Sequence, residues 1–477
     1  MIILGTNSIK DTGYDVANSL RFNDDSSDYL SITPGSSSNT KKWTFSCWIK
    51  LGNIKNSFHS IFSAFTGSSD QYNAVALDNS NRVVFVTMDE GSGGVMNVVS
   101  NAMLRDPSAW YHIVTAYDSA QATDTNRVKG YINGTQVTSL STSNYPAQDK
   151  TTYINSNNQH NIGKRWNENY YDGYMAEVVF IDGLALDPTS FGEFDSDSPN
   201  IWKPKDVSGL TFGTNGFYLD FEDSSALGND AAGSNNFTVN NLTAESQSTD
   251  TCTLNYATMN SLAVPPSNAP TFAEGNTKVS TNNSNANPVL STIGVSQGKW
   301  YVECKRISYD GGSGADDGFR IGFGVTYDQN VNIIPAGISN SGHYFMIGNG
   351  IVYNGSTDLG DKAGDSNVSD NGVVGIALDL DNNRISWSFN GAWMTGSGAW
   401  SGSSPSSYVT IESGKTYFFL QNDGSTGRAY TAGWNFGGTS AFSISSGNTD
   451  ANGYGNFETA PPSGYYALNT KNLSEFG

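Results

Sequence analysis

Apolar and polar residues alternate in short runs along most of the chain, and clusters of Gly, Asn, Asp and Ser separate these runs. Alternation with a period of two places every second side chain on the same face of a strand, so each run predicts a strand with one buried face. Helical apolar spacing does not recur, although Asp187–Phe194 is expected to form one helical turn capped by Asp187. The pattern therefore predicts an all-β fold. The clearest strand patterns of the first half are WTFSCWIKL (43–51), WYHIVTAYD (110–118), NRVKGYINGTQV (126–137) and YDGYMAEVVFIDG (171–183).

The strand patterns form two groups, and they predict two antiparallel, jelly-roll-like β-sandwiches. AVPPSNAP (263–270) interrupts the pattern, because proline removes a backbone donor and fixes φ. The second group contains GKWYVECKRI (298–307), FRIGFGVT (319–326) and NGVVGIALDLDNNRISWSFNG (371–391). We therefore expect an N-terminal arm (1–18), a first sandwich (19–205), a partly ordered connector (206–270), a second sandwich (271–455) and a mostly irregular C-terminal tail (456–477).

Three segments place Asp and Asn in a turn and follow them with Arg and a strand pattern. Asp and Asn side chains hydrogen-bond their own backbone and tolerate a left-handed φ, so these segments predict tight hairpins. Asn-Gly dipeptides at Asn133 and Asn390 predict further two-residue turns. The three segments are DNSNRVVFV (78–86), DTNRVKGYING (124–134) and DNNRISWSFNG (381–391).

The charge of the chain disfavours two classes of partner. Its formal net charge is −20, whereas nucleic-acid binding needs a basic face to meet phosphates. An anionic membrane surface is disfavoured for the same reason. Abundant carboxylates could supply oxygen ligands for Ca²⁺, but solubility alone is the simpler explanation.

The cysteines and the first residues bear on whether the protein is exported through a secretory pathway. Its three cysteines are odd in number and scattered, so no disulfide framework is indicated. Cys47 and Cys304 lie in strand patterns, where a free cysteine behaves as a small core residue. The first residues lack the basic and apolar regions of a signal peptide, and no apolar run is long enough for a membrane span. We expect a protein used without export through a signal peptide.

The sequence contains no arrangement of residues typical of a catalytic centre. Asp220 and Glu222 share a strand face, as a glycosidase pair could, but a solvated strand edge explains them better. The four histidines are widely spaced, without the spacing of zinc ligands, and His112 is expected to be structural. We therefore predict that the protein is not an enzyme.

The segment KRWNENYYDGY (164–174) is the best candidate for a binding surface. It places Trp166, Tyr170 and Tyr171 among Asn, Glu and Asp residues. Aromatic faces pack against sugar rings, and Asn and Asp side chains hydrogen-bond hydroxyl groups. We predict that these three aromatic residues bind a ligand. The alternative is that two or three of the four rings in the segment, those of Trp166, Tyr170, Tyr171 and Tyr174, belong to the core.

Two family resemblances follow from these motifs. Residues 19–194 resemble the laminin-G-like, concanavalin-A-like lectin/glucanase sandwiches through WTFSCWIKL, WYHIVTAYD, GYINGTQV and YDGYMAEVVFIDG. Residues 290–442 resemble a SPRY domain through GKWYVECK, RIGFGV and GVVGIALDLDNNRISWSFNG. Some laminin-G-like domains bind Ca²⁺ through an aspartate just before the strand that matches NAVALD. The resemblance therefore implies a metal site at Asp70.

The wider arrangement resembles structural proteins predicted in phages of marine bacteria. Both sandwiches, the connector GFYLDFEDSSALGNDAAGSNNFTVNNLTA and the closing segment PPSGYYALNTKNL contribute to this resemblance. It implies a non-enzymatic virion surface protein of the tail-fibre or appendage type. Such a protein would assemble in the host cytoplasm, form a homo-oligomer and contact other virion proteins. It would bind host glycan or protein from the particle surface. The alternatives are a capsid-decoration or adaptor protein and, more remotely, a glycan hydrolase.

Overall fold

Strands form nearly all of the regular structure, as the alternating pattern predicts. The computed structural model describes residues 13–54, 57–91, 94–264, 269–281, 288–309, 321–327, 342–347, 350–361, 371–396, 399–423 and 429–477. The chain divides into two units, of which one ends at Leu254 and the other begins at Asn255. Within the described ranges, no helix is long and apolar enough to cross a membrane.

The first unit is a sandwich of two eight-stranded antiparallel sheets. Sheet 1 has the order β10-β9-β8-β3-β13-β1-β18, with β16 also paired to β13, and sheet 2 has the order β11-β7-β6-β5-β4-β12-β2-β17. A separate two-stranded sheet pairs β14 with β15. The strands are β1 (Ser19–Phe22), β2 (Tyr29–Ile32), β3 (Lys42–Leu51), β4 (His59–Phe65), β5 (Gln71–Leu77), β6 (Arg82–Glu90), β7 (Gly94–Met103), β8 (Trp110–Asp118), β9 (Val128–Ile132), β10 (Thr135–Gln136), β11 (Leu140–Asn144), β12 (Gln159–Ile162), β13 (Gly173–Asp182), β14 (Gly192–Phe194), β15 (Trp202–Pro204), β16 (Phe217–Leu219), β17 (Thr238–Asn240) and β18 (Gln247–Ser248).

The segment expected to be a connector (206–270) is instead divided between the two units. Strand β16 pairs with β13, β17 pairs with β2 and β18 pairs with β1, so residues up to Leu254 complete the first sandwich. Residues from Asn255 onward belong to the second unit, where Met259 bridges to Ser291. The sequence pattern missed this division because three-residue strands are too short to show alternation.

A buried ion pair fixes the end of the first unit. The Lys50 Nζ lies 2.6 Å from Asp250 Oδ2, and both side chains are fully enclosed. The indole N–H of Trp110 donates to Asp250 Oδ1 at 3.2 Å. The predicted arm contributes too, since the Val16 N–H donates to Thr253 Oγ1 at 3.0 Å. Residues 1–12 of that arm lie outside the described residues.

The second unit is a sandwich of a ten-stranded and a six-stranded sheet. Sheet 3 has the order β19-β20-β33-β22-β27-β28-β29-β30, with β31 paired to β28 and β34 to β22, and sheet 4 has the order β21-β32-β23-β24-β25-β26. All pairs are antiparallel except β34 with β22. The elements are β19 (Thr271–Ala273), β20 (Lys278–Ser280), β21 (Val289–Val295), β22 (Lys299–Tyr309), β23 (Ile321–Thr326), β24 (His343–Ile347), β25 (Ile351–Asn354), β26 (Thr357–Asp361), β27 (Val373–Asp379), β28 (Arg384–Phe389), β29 (Ala392–Met394), β30 (Trp400–Gly402), β31 (Val409–Thr410), β32 (Tyr417–Asp423), β33 (Tyr430–Asn435), β34 (Tyr466–Ala467) and α1 (Thr470–Phe476).

The C-terminal tail (456–477) differs from the irregular segment that was expected. It adds β34 to sheet 3 and ends in helix α1, which Asn469 caps by accepting a hydrogen bond from the Asn472 N–H. The Glu303 carboxylate of β22 also holds the tail, because it accepts the N–H groups of Glu458 (2.9 Å) and Thr459 (2.6 Å). The tail is therefore part of the second sandwich.

Most of the predicted turns are confirmed. The exception is Asp124–Asn126, which forms a 3₁₀ turn in the long connection between β8 and β9 and not a tight hairpin. Asp78 Oδ1 accepts the N–H groups of Ser80 and Arg82 in the hairpin between β5 and β6. Asn133 and Asn390 adopt a φ of 47°, each followed by a glycine with positive φ, as two-residue hairpin turns require. Asp187 caps the helical turn Pro188–Ser190 by accepting the Thr189 N–H.

Aromatic rings fill both cores. In the first sandwich, Phe45 of sheet 1 stacks on Phe62 of sheet 2 with ring centroids 4.7 Å apart. In the second, the indole N–H of Trp387 donates to the Phe323 carbonyl and that of Trp434 donates to Gln421. These two buried indoles keep hydrogen-bond partners, whereas the buried Trp48 N–H has none among the described residues.

Candidate functional site

The candidate binding loop, residues 163–170, follows β12 and covers part of sheet 2. The Gly163 N–H donates to the Ile61 carbonyl at 2.9 Å, and the Ser60 N–H donates to the Asn169 carbonyl at 3.0 Å. Arg165 and Glu168 exchange two backbone hydrogen bonds and close a four-residue turn with Trp166 at its first central position. The loop is therefore an ordered extension of the sandwich.

Trp166 is held in an unusual backbone conformation. Its φ is +49°, and a positive φ at the first central position of a tight turn strongly favours glycine. A bulky side chain in this region costs on the order of 1–3 kcal/mol, and such strain concentrates at binding sites. The indole is only partly buried. The strain and the partial exposure together suggest that the side chain is kept for contact.

Two cation–aromatic contacts flank Trp166. The Lys164 Nζ lies 3.4 Å from the ring centroid of Tyr29, and the rings of Tyr29 and Tyr170 lie 6.3 Å apart. The Arg165 guanidinium carbon lies 4.3 Å from the ring centroid of Tyr72. Burial lowers the pKa of Lys164, and the ring of Tyr29 compensates for its lost hydration. We call the half-buried rings of Tyr29, Phe58, Tyr72, Trp166 and Tyr170 the aromatic rim.

Tyr171 does not belong to the rim, which corrects the prediction that it binds a ligand. Its ring is fully buried, and its hydroxyl donates to the Lys50 carbonyl at 3.1 Å. Its backbone N–H closes the base of the loop on Gly163, so the chain turns inward at this residue. Tyr174 is buried as well. Two of the four rings in the segment are therefore core, as the alternative interpretation allowed.

A row of small residues, all polar except Ala74, crosses sheet 2 beside the rim. These residues stand opposite one another in successive strands, on the face away from the core. Tyr29 and Tyr72 lie on the same face, because each is two residues from a member of the row. In the described part of the chain, Asn161 Nδ2 and Asn97 Oδ1 have no hydrogen-bond partner. The row consists of Thr238, Ser31, Asn161, Ser63, Ala74, Thr87, Asn97 and Asn144.

Asp70 lacks the surroundings of a Ca²⁺ site. Its carboxylate accepts a short hydrogen bond from Ser68 Oγ. Ca²⁺ takes six to eight oxygen ligands. No group of three or more His, Cys, Asp or Glu residues that could hold a metal occurs within the described ranges. Asp70 therefore belongs to no such group among the described residues.

The structure identifies a buried carboxyl that the sequence did not single out. Glu177 lies at a bulge of β13 with a φ of +50°. Its carboxyl oxygens accept the hydroxyls of Tyr218 (2.8 Å) and Tyr14 (3.2 Å). Burial, reinforced by the charges of Asp220 and Glu222, raises its pKa to about 7. Because the two tyrosines enclose the Glu177 carboxyl, it is not accessible to a substrate. Glu177 therefore does not form an open pair of catalytic acids with Asp220 or Glu222.

His112 and the cysteines are structural, as predicted. His112 accepts or shares hydrogen bonds with Trp202 (2.9 Å) and Ser46 (2.8 Å) and stacks on Trp48. Burial lowers its pKa to about 3, so the ring is neutral. Cys47 and Cys304 are free and buried.

One family model matches the first unit. Residues 24–189 match the model described as Laminin_G_3, concanavalin A-like lectin/glucanases superfamily. The first unit contains a laminin-G-like domain. The aromatic rim and the polar row are parts of this laminin-G-like domain, since all but Thr238 lie between residues 24 and 189. No curated protein matches the chain significantly.

Several solved structures are similar to parts of the chain. They include the SPRY domain of human HERC1 (11% identity, TM-score 0.27, covering 37% of this chain and 96% of that one). The heptameric SAP-like pentraxin of Limulus polyphemus is 14% identical, with a TM-score of 0.27 over 36% of this chain and 79% of that one. The Ruminococcus gnavus IT-sialidase CBM40, bound to alpha2,3 sialyllactose, is 15% identical, with a TM-score of 0.22 over 28% of this chain and 73% of that one. These likenesses are weak, and the fold assignment depends on the strand order above.

Proposed function

We propose that the laminin-G-like domain binds carbohydrate at the aromatic rim. The observation that carries the proposal is the strained, half-buried Trp166 between two further groups of aromatic rings. Flat rings pack against the C–H faces of sugars, while Asn, Ser and Thr side chains hydrogen-bond hydroxyl groups. In the polar row of sheet 2, Ser63 and Asn161 are fully buried, but Ser31, Thr87 and Asn97 are partly exposed and supply such groups. The superfamily of the matching model includes lectins by its description.

We further propose that the whole chain is a virion surface protein of the tail-fibre or appendage type. The motifs in both halves and in the closing segment support this role through their resemblance to phage structural proteins. Its net charge of −20 suits contact with other proteins or neutral glycans better than nucleic acid or an anionic membrane. We also propose that the chain forms a homo-oligomer and that this oligomer contacts other virion proteins. Several copies in one assembly would make weak single contacts strong through multivalency.

The test of the rim is a comparison of two single variants on a glycan array and on candidate host cells. Trp166→Ala is expected to weaken binding at least about tenfold, because truncating an aromatic anchor costs about 1.4 kcal/mol or more. Phe194→Ala is the matched control, since it removes a ring that is 47% exposed on β14, outside the rim. Equal binding by both variants would rule out the rim as the site.

The capsid-decoration or adaptor role is the second outcome of this test. It is favoured if the chain binds neither the array nor a demonstrated host but co-sediments with purified particles. Hydrolysis of β-glucans by the purified chain would instead favour the glycan hydrolase.

A further inference from the structure

A cavity lies on the outer side of sheet 1, on the opposite face of the sandwich from the aromatic rim. Its volume is about 290 Å³. Strands β8 and β9 form its floor, where Tyr131 stands opposite Val114 and Lys129 opposite Ala116. The loop after β13 forms its wall through Leu186 and Asp187. All of these elements belong to the first unit.

Three polar side chains of the cavity have no hydrogen-bond or ion-pair partner among the described residues. Within the described residues, no hydrogen bond or ion pair is formed by the Lys129 ammonium, the Asn126 amide or the Tyr131 hydroxyl. The two tight turns nearby position them, since Asp124–Asn126 is a 3₁₀ turn and Asn133 closes the β9–β10 hairpin. Unpaired donors around a concave surface are available for a ligand.

The charges of the lining are balanced. Lys42 neutralises Asp118, whose Oδ2 lies 2.9 Å from the Lys42 Nζ. The remaining charged groups are one ammonium, Lys129, and one carboxylate, Asp187. Asp187 lies near enough to Tyr131 for its charge to help burial raise the pKa of that hydroxyl. A lining without net charge suits a neutral polar ligand better than an anion or a cation.

We propose that this cavity is a second carbohydrate site, which binds a single neutral sugar ring. The cavity is near the lower limit of about 300 Å³ for small-molecule sites, so it fits one ring rather than an extended chain. The lining is mostly polar, and Asn126, Lys129 and Asp187 offer donors and acceptors for hydroxyls. The Tyr131 and Leu186 side chains add a small apolar area for a C–H face. The site does not depend on the aromatic rim, because no residue is shared.

The proposal is tested by saturation-transfer NMR of the full chain with glucose, galactose, mannose and N-acetylglucosamine. Leu186→Trp fills the cavity, and Lys129→Met removes a donor. Both are expected to lower affinity about tenfold or more. Leu186→Trp does so because the indole occupies the space of the ligand, and Lys129→Met because a charged hydrogen bond is lost. Lys205→Met is the matched control, because Lys205 is exposed in the same unit and outside the cavity. Circular dichroism checks the fold, and Asn126→Ala replaces any variant that unfolds.

The outcomes separate the cavity from the rim. In the Trp166→Ala background, which removes the rim as a source of transfer, a signal that is lost on adding Leu186→Trp but retained on adding Lys205→Met supports the cavity. Transfer lost only in Trp166→Ala assigns the sugar to the rim and overturns the cavity. Transfer that is equal in every variant, or absent for all four sugars with the unaltered chain, also overturns it. Failure of the rim in the glycan-array test leaves these results unchanged.

Discussion

At the scale of single residues, two side chains carry a conformational or electrostatic cost that the fold sustains. Trp166 occupies a positive φ at the tip of the binding loop. Glu177 combines a positive φ with nearly complete burial. Neither cost can be inferred from residue type, because both depend on the backbone around the residue.

Replacing Trp166 by glycine is expected to stabilise the first unit while it weakens glycan binding. Glycine adopts a positive φ without strain, so the free energy of unfolding should rise by about 1 kcal/mol. Urea unfolding of the full chain measures the change, and Trp166→Ala is the control, because alanine keeps the strain. A glycine variant less stable than the alanine variant would contradict strain at this turn.

Glu177 is expected to make the stability of the first unit depend on pH. The folded-state pKa of about 7 lies above the ordinary value of 4.5 for a glutamate carboxyl, so the folded state binds the proton more tightly. Stability therefore rises as the pH falls from about 8 to 4.5, and part of it is lost as the pH rises through 7. Between pH 5 and pH 8.5 the free energy of unfolding of the unaltered chain should fall by on the order of 2 kcal/mol. Glu177→Gln should abolish this fall. Parallel pH dependence of the variant and the unaltered chain in urea titrations would exclude Glu177 as the cause.

At the scale of elements, short strands far apart in the sequence complete the sheets. Strand β17 joins the edge of sheet 2 beside β2, β18 joins the edge of sheet 1 beside β1, and β16 pairs with β13 of sheet 1. Both sheets begin more than 150 residues earlier in the chain. Asp250, just after β18, anchors this segment through Lys50. A buried ion pair adds little net stability when intact, but removing one partner leaves a charge without compensation.

Asp250→Asn is accordingly expected to destabilise the first unit by about 3–5 kcal/mol. Thermal and urea unfolding measure the loss. The control is Lys41→Met, which removes an exposed pair with Asp149 (3.1 Å) and should cost less than about 1 kcal/mol. The double variant Lys50→Met, Asp250→Leu should regain stability relative to Asp250→Asn. Similar losses for the two pairs would show that the burial of Lys50 is not decisive.

At the scale of the whole molecule, the chain is two sandwiches in series, and the first has candidate sites on both outer faces. The rim is on sheet 2 and the cavity on sheet 1. Binding on two faces of one domain, repeated in an oligomer, would let the protein hold several glycan chains at once.

Removal of divalent cations is expected to leave both stability and glycan binding unchanged. Asp70 belongs to no group of three or more acidic, His or Cys residues in the described part of the chain, so we expect that neither EDTA nor millimolar Ca²⁺ shifts the melting temperature. A bound cation would stabilise the folded state in proportion to its affinity. A melting temperature that EDTA lowers and Ca²⁺ restores, with the response lost in Asp70→Ala, would establish the metal site.

Local rules were sufficient for the strands, the turns and the structural role of His112. Alternation of apolar residues depends only on neighbours in the sequence, and Asn133 and Asn390 adopt the left-handed turns that Asn-Gly favours. The predicted boundaries at 205 and 270 were less successful, because pairing of β18 with β1 brings together residues that no local pattern connects.

The sequence alone therefore determined the all-β class, the two sandwiches and the segment that contains Trp166 and Tyr170. The other rings of the rim, Tyr29, Phe58 and Tyr72, come from outside that segment. Only the tertiary structure decided that Trp166 and Tyr170 face outward while Tyr171 enters the core. It also brought Glu177 to Tyr218 and Tyr14, which are 41 and 163 residues away. The physical reason is that local alternation specifies strands, whereas burial at a loop or a bulge depends on what distant segments pack against it.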